Sequence, residues 1–367
     1  MKRIALLGPA NSIHLQRWAG ALVARGYSTK VFSQHPADAD ALHPAIETEW
    51  LPYRGVAGYF FNARRLRARL SAWRPDLLHA HYASGYGTTA MLADFKPCLL
   101  SVWGSDVYDF PNEGRVKRGL LRRNLRHATA LASTSEAMAN EVRRLTPERR
   151  EIEVTPFGVD LRRFAPTEHR SPSAVVTIGT VKTLASKYGI DLLLRAFAQL
   201  TKDLESCAPG LACRLLIVGD GPERFALESL ARTLRMDAMT TFAGSVAHAE
   251  VPEWLNRFDI SVAASRLDSE SFGVAVIEAS ACAVPVVVTD VGGLPEVVIA
   301  DRTGLIVPRE DVPALQAALK RLVLDARLRE ELGREGRRHV AATYEWERCV
   351  DRMERCYERT IQRAQRA

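Results

Sequence analysis

Cysteine is scarce in this chain and badly spaced for chemistry. The six cysteines, at positions 98, 207, 213, 282, 349 and 356, form no Cys-x-x-Cys pair, which argues against zinc-ribbon and thioredoxin chemistry. They read as free thiols of a reducing compartment, so the expected location is cytoplasmic. No apolar run approaches the roughly 18 residues that a spanning helix needs. The opening Met1-Lys2-Arg3-Ile4-Ala5-Leu6-Leu7-Gly8 is too short for a signal peptide and reads as a first buried strand. No repeat of about 20–50 residues appears, which excludes a solenoid. Aromatics make up 7% of the residues, and no interleaved aromatic platform or zinc-finger spacing suggests nucleic acid as a partner. No His/Cys cluster has metal-ligand spacing, so no metal and no bound cofactor is expected. Neither half shows the GxGxxG turn that a nicotinamide oxidoreductase requires.

What is present is ordinary globular composition: 367 residues, 47% hydrophobic and 25% charged, which suits two or three domains. The net charge of +7 is unevenly placed. Residues 1–160 carry 22 Lys and Arg against 15 Asp and Glu, and the remainder carries 28 against 28. A basic first half and a neutral second half imply different partners, with an anionic membrane surface or a phosphorylated acceptor suited to the first.

Short apolar segments alternate with amphipathic ones. Ile4–Leu7 reads as a strand, a helix follows through Leu15, Trp18 and Leu22 to Gly26, and Thr29–Phe32 is a second strand. This β-α-β unit belongs to a parallel sheet. Further strands are expected at 77–80, 99–102, 130–132 and 151–154. The pattern pauses between Gly158 and Ser173, with Pro166 and Pro172, and this stretch reads as a linker. It restarts with strands at 175–179, 214–218, 239–242, 260–262 and 284–289, a helix over 191–204 and a helical tail from Val312. The expected fold is α/β, with two doubly wound Rossmann-like domains facing a central cleft. Their boundaries are 1–165 and 173–345, and a helical segment over 346–367 packs back on the first domain.

Three segments of the second half suit a nucleotide diphosphate. Gly219-Asp220-Gly221-Pro222 follows a strand and either lets a ligand approach the backbone or simply makes a turn. Lys182 and Lys187 follow the first strand of that half, as phosphate ligands or as solvated surface. Glu270-Ser271-Phe272-Gly273 precedes an apolar helix that carries Glu278, and the N-terminus of such a helix attracts anions. A carboxylate accepts two hydrogen bonds at once, which fits neighbouring sugar hydroxyls. The alternative is that Glu270 caps the helix and Glu278 is solvated, but an unpaired carboxylate buried in that apolar run would be costly.

Together these motifs resemble the retaining family 4 glycosyltransferases. The resemblance rests on the Glu270–Glu278 spacing, Pro285, Gly292-Gly293-Leu294-Pro295-Glu296, Pro156-Phe157-Gly158-Val159-Asp160, Ile217–Pro222 and Thr303-Gly304-Leu305-Ile306-Val307. It covers nearly the whole chain in family order. It implies a GT-B fold and metal-free transfer of a sugar from a nucleotide donor with retained configuration, a uridine diphosphate (UDP) sugar being favoured. It further implies that Glu278 holds the donor ribose, that Glu270 contacts the donor sugar and that Ser271, Phe272 and Gly273 offer backbone N–H groups. By the same resemblance Lys187 holds phosphate and Gly244-Ser245-Val246 lies beside the base. Thr180 replaces the family's arginine, for which Lys182 is the substitute. Trp103-Gly104-Ser105-Asp106 lacks the family's histidine, leaving Asp106 as the candidate for orienting a sugar. Asn11-Ser12-Ile13-His14 replaces a double glycine.

The acceptor expected from these features is a glycan, lipid-linked, in bacterial polysaccharide or glycolipid assembly. A soluble small acceptor and a sugar-nucleotide epimerase are the competing readings. Arg115, Lys117, Arg118, Arg122, Arg123 and Arg126 crowd one segment, with Val116, Leu120, Leu121 and Leu125 between them. This basic amphipathic helix over 115–126 either lies on the inner face of the plasma membrane or packs its leucines inward.

Overall fold

The structure, a computed structural model, describes residues 2–37, 42–146, 151–167 and 175–366. The chain divides into two compact units, Met1–Phe157 with Cys349–Ala367, and Gly158–Arg348. Residues 168–174, which include the end of the expected linker and the expected domain start at 173, lie outside the described residues, as does Ala367.

Unit 1 is a seven-stranded parallel sheet of strands β1 (Arg3–Leu7), β2 (Ser28–Ser33), β3 (Glu47–Trp50), β4 (Leu77–His81), β5 (Cys98–Ser101), β6 (Ala130–Ser133) and β7 (Ile152–Val154). Their order is β3-β2-β1-β4-β5-β6-β7. Helices cover both faces, so the central strands are buried along their whole length rather than at alternate residues. Leu7, Phe32, Leu78 and Leu100 anchor this core. The edge strand β3, Glu-Thr-Glu-Trp, is polar and carries no apolar run by which sequence reading could find it. Charged side chains on an edge are a common guard against unwanted pairing.

The C-terminal helix, Trp346–Arg366, brings the chain back to unit 1. It buries Val350, Met353, Cys356 and Tyr357. Ion pairs from Arg25 to Asp351 and from Arg359 to Glu153, both 2.6 Å, fix it there.

Unit 2 repeats the arrangement with β8 (Val175–Val181), β9 (Ala212–Val218), β10 (Thr240–Gly244), β11 (Ile260–Ala263), β12 (Val286–Thr289) and β13 (Gly304–Val307). The order is β10-β9-β8-β11-β12-β13, again all parallel. Both sheets reverse direction after their first strand, between β1 and β4 and between β8 and β11. In open α/β sheets such a switch point leaves a crevice at the strands' carboxyl ends, and ligands bind there.

Candidate active site

Lys182 directly follows β8, and Glu270 closes the loop after β11, so the two flank the switch point of unit 2. Lys182 Nζ lies 2.7 Å from Glu270 Oε1, with side-chain exposures of 14% and 9%. Glu270 therefore has a charged partner within the protein. Eighty-eight residues separate the pair in sequence, and only the parallel pairing of β8 with β11 brings them together. Lys187 sits in the short turn Ser186–Tyr188. The ring of Tyr188 gathers both lysines, with its centroid 4.7 Å from Lys182 Nζ and 4.9 Å from Lys187 Nζ. Cations over an aromatic face are held by the ring quadrupole.

The loop carrying Glu270 is fixed from several sides. Arg266 makes a two-pronged contact with Asp191 at 2.8 and 2.7 Å, the geometry in which a guanidinium fork matches a carboxylate. Asp268 Oδ1 accepts from Arg309 Nη2 at 2.8 Å and from the Gly292 N–H at 3.0 Å. The Gly293 N–H donates to the Glu270 carbonyl at 3.1 Å. A Cβ at Gly292 would stand 2.2 Å from the Glu270 carbonyl oxygen, and one at Gly293 2.2 Å from that of Ser271. The Gly-Gly pair is thus what lets one backbone lie directly against the other.

Ser271 and Phe272 are buried, and Gly273, at φ +89°, leads into helix Val274–Ala281. No side chain caps that helix, so Glu270 is not its cap. Glu278 lies one turn into the helix and is only 5% exposed. Its Oε1 is 2.9 Å from His248 Nε2. His248, in the loop after β10, escaped the sequence reading. The only signal was its place two residues beyond Val246, in the segment already expected beside a base. Ser245 is exposed and Val246 half-buried in that loop.

Two sequence expectations change in meaning. Gly219 and Gly221 serve close packing of strand-end loops: a Cβ at Gly219 would stand 1.9 Å from the Lys182 carbonyl oxygen, and one at Gly221 2.4 Å from that of Leu184. They seat the backbones of Lys182 and Leu184. Asp106, in unit 1, is 1% exposed. Its carboxylate accepts from the backbone N–H groups of Ala83 (2.7 Å), Trp103 (3.1 Å) and Gly104 (2.8 Å). Burial lifts its pKa above the usual carboxylate value against the pull of those bonds. With its oxygens committed to the backbone, Asp106 is a lock on the loops after β4 and β5 rather than a sugar ligand.

The basic segment forms helix Arg115–His127. Leu121 and Leu125 are fully buried, so the helix packs its leucines on unit 1 and turns Arg115, Arg118, Arg122, Arg123 and Arg126 to solvent. Among the described residues no helix is long and apolar enough to cross a membrane. Among the same residues no group of three or more His, Cys, Asp or Glu side chains could hold a metal ion. The sequence's one Asp-x-Asp, Asp38-Ala39-Asp40, lies outside them.

Family models match both units. Residues 162–339 match "Glycosyl transferases group 1" and residues 3–135 match "Glycosyl transferase 4-like". The chain is 27% identical to a glycogen synthase of Mycobacterium tuberculosis, over 91% of this chain and 87% of that one. It is 28% identical to a D-inositol 3-phosphate glycosyltransferase of an Arthrobacter species, over 92% and 87%. Among solved structures, sucrose-phosphate synthase from Thermosynechococcus elongatus aligns with a TM-score of 0.83 at 23% identity, covering 99% of this chain and all of that one. Anabaena HepE, solved in complex with UDP, aligns with a TM-score of 0.79 at 17% identity, covering 98% and 100%.

Proposed function

The chain belongs to the group 1, 4-like glycosyltransferases, and from that premise we propose that it moves a sugar from a nucleotide sugar to a lipid-linked glycan acceptor, retaining the anomeric configuration and using no metal. A UDP-sugar is the favoured donor, a reading supported by the UDP complex of a protein with the same fold. The observation that carries the proposal is the gathering of Lys182, Lys187, Glu270 and the N-terminus of helix Val274–Ala281 at one switch point.

In this reading Glu278, oriented by His248, accepts from the two ribose hydroxyls. Lys187 and Lys182 face the diphosphate, and the helix N-terminus adds its partial positive charge. Glu270 accepts from hydroxyls of the donor sugar. The acceptor hydroxyl attacks the anomeric carbon from the side on which the diphosphate departs. The carbon–oxygen bond to phosphate breaks, the new glycosidic bond forms on the same face, and a phosphate oxygen takes the acceptor's proton. Stabilising the charge on the departing diphosphate and positioning the two substrates supply the rate enhancement.

The test is transfer itself. The purified protein is incubated with a panel of nucleotide sugars, ranked first by thermal shift, and released nucleotide is measured with and without acceptor. NMR of the product's anomeric proton then reports the configuration. Inverted product refutes the same-face step, and absence of any nucleotide release across the panel refutes the donor assignment.

A further inference from the structure

Unit 1 has its own cavity, of about 800 Å³, at its own switch point. Pro9 and Asn11 from the loop after β1 and Tyr82 and Ser84 from the loop after β4 border it. Tyr59, Phe60, Tyr86, Phe110, Val116 and Leu120 form its walls. The polar atom of Tyr86 is already used: its hydroxyl lies 2.7 Å from His35 Nδ1 and 3.1 Å from Ser33 Oγ, and accepts from the Gln34 N–H at 3.2 Å. What the walls offer an occupant is therefore mostly carbon.

The apolar surface does not stop at the mouth. Val56, Phe60 and Val116 line the cavity and are also exposed, at 78%, 44% and 86%. Tyr53 and Phe61, close in sequence to Val56 and Phe60, are also exposed, their ring centroids 5.7 Å apart. Contiguous exposed apolar side chains of this size mark an interaction site. A cationic collar borders the same lip, because the first turn of helix Arg115–His127 supplies Val116 and Lys117 to the cavity together. Lys117 Nζ stands 5.5 Å from the centroid of the Phe110 ring and is ion-paired with Glu113, one turn earlier, so its charge is already met. Arg115 is exposed and forms no ion pair among the described residues.

We infer that this cavity takes the hydrocarbon part of an anionic amphiphile, the acceptor of the reaction, whose charged group sits outside against Arg115. The assignment rests on the transferase reading above: the donor's ligands all lie in unit 2, and unit 1 presents an apolar cavity at its strands' carboxyl ends, where a second substrate belongs. Asn11, Ser12, His35, Ser84, Thr88 and Ser105 also reach the cavity, but most of its surface is carbon, which suits a chain or prenyl-like tail better than a free sugar.

The probe is dodecyl phosphate, titrated into the full-length protein below its micelle-forming concentration and followed by calorimetry, with dodecyl maltoside and inorganic phosphate as separate arms. Dodecyl phosphate should bind at one site per chain, dodecyl maltoside at least tenfold more weakly, and inorganic phosphate not measurably at that site. Phe60→Asp and Val116→Asp, both on the exposed lip, should each weaken dodecyl phosphate at least tenfold. Arg115→Glu should weaken dodecyl phosphate and leave dodecyl maltoside unchanged. Each variant is checked for wild-type circular dichroism and UDP affinity, so a lost fold or a wrong donor assignment registers separately. No binding of dodecyl phosphate, binding indifferent to both lip variants, or equal affinity for the two detergents overturns the inference.

Discussion

The ammonium of Lys182 and the carboxylate of Glu270 are 2.7 Å apart across the switch point of unit 2, both mostly withdrawn from water. A partner removed from such a pair leaves the other charge buried and uncompensated, which costs about 3–5 kcal/mol. Lys182→Met should therefore destabilise unit 2 by an amount in that range. The double variant Lys182→Met, Glu270→Gln should recover most of it. Urea unfolding of both proteins decides the matter, and a single variant as stable as wild type would show that the pair is not energetically coupled.

The two glutamates should separate kinetically. On the proposed reading Glu278 accepts from two ribose hydroxyls, each bond to a charged group being worth about 1.5–3 kcal/mol, so for Glu278→Ala the UDP affinity measured by calorimetry should fall at least tenfold. His248→Ala should weaken UDP less, because it removes the group that orients Glu278 Oε1 at 2.9 Å and not the ligand contact. Glu270→Ala should lower kcat more than UDP affinity. Equal losses in both quantities for Glu270→Ala would make its role structural.

How much of this was legible in the sequence depends on distance along the chain. Most strands of both sheets declared themselves because buried parallel strands are short continuous apolar runs, as in Val286–Thr289; the edge strand Gly304–Val307, with only three apolar residues, was not read as one. The polar edge strand Glu47–Trp50 has no such run and was missed. Glu270 and Glu278 stood out because one loop and one helix hold both. Their partners, Lys182 and His248, lie 88 and 30 residues away and meet them only through sheet order. Asp106 was recognisable as important, but spacing cannot distinguish a carboxylate aimed at a sugar from one bound to three backbone N–H groups. The glycines at 219 and 221 carried the same ambiguity, and their packing against the carbonyls of Lys182 and Leu184 shows only in the fold.

Transfer should proceed without a divalent ion. On the proposed reading two lysines and a helix N-terminus face the diphosphate, fixed charges in place of an ion. Activity in excess EDTA should match the untreated enzyme within about twofold. Abolition by EDTA with rescue by manganese would refute this, and Asp38→Ala with Asp40→Ala would then test whether the one Asp-x-Asp is responsible.

The exposed arginines of helix Arg115–His127 should hold the protein to anionic membranes by charge, since its buried leucines are committed to unit 1. Each basic side chain near such a surface contributes roughly 1 kcal/mol, and the attraction is screened by salt. The protein should co-sediment with vesicles of phosphatidylglycerol but not phosphatidylcholine, and about 0.5 M salt should release it. Arg122→Glu, Arg123→Glu and Arg126→Glu combined should abolish sedimentation and spare UDP affinity. Wild-type protein that ignores phosphatidylglycerol at low salt would make these arginines ordinary surface.

Acid should destabilise unit 1 through two histidines of β4. His79 and His81 are fully buried with ring centroids 3.9 Å apart. His79 is satisfied by Tyr357 Oη at 2.8 Å and Ser101 Oγ at 2.7 Å. His81 has no hydrogen-bond partner on either ring nitrogen among the described residues. Burial pushes the pKa of His81 down to about 3, with the charge of His14 adding to the effect, and burial also holds His79 well below its ordinary value, with His81 adding to it. The folded protein thus keeps both rings neutral where the unfolded chain, titrating near 6.5, takes up protons. Stability from this source is complete above about pH 7 and is lost as pH falls toward the folded values. Between pH 7 and pH 5 the loss is about 2 kcal/mol for His81, and His79 acts in the same direction. His81→Leu removes one of the two, so its urea midpoint should fall less steeply than that of wild type over that interval, the gap between the two proteins widening in the variant's favour as acid is added. Parallel pH profiles would mean that His81 is protonated in the folded state at pH 5 and that its burial does not exclude the charge.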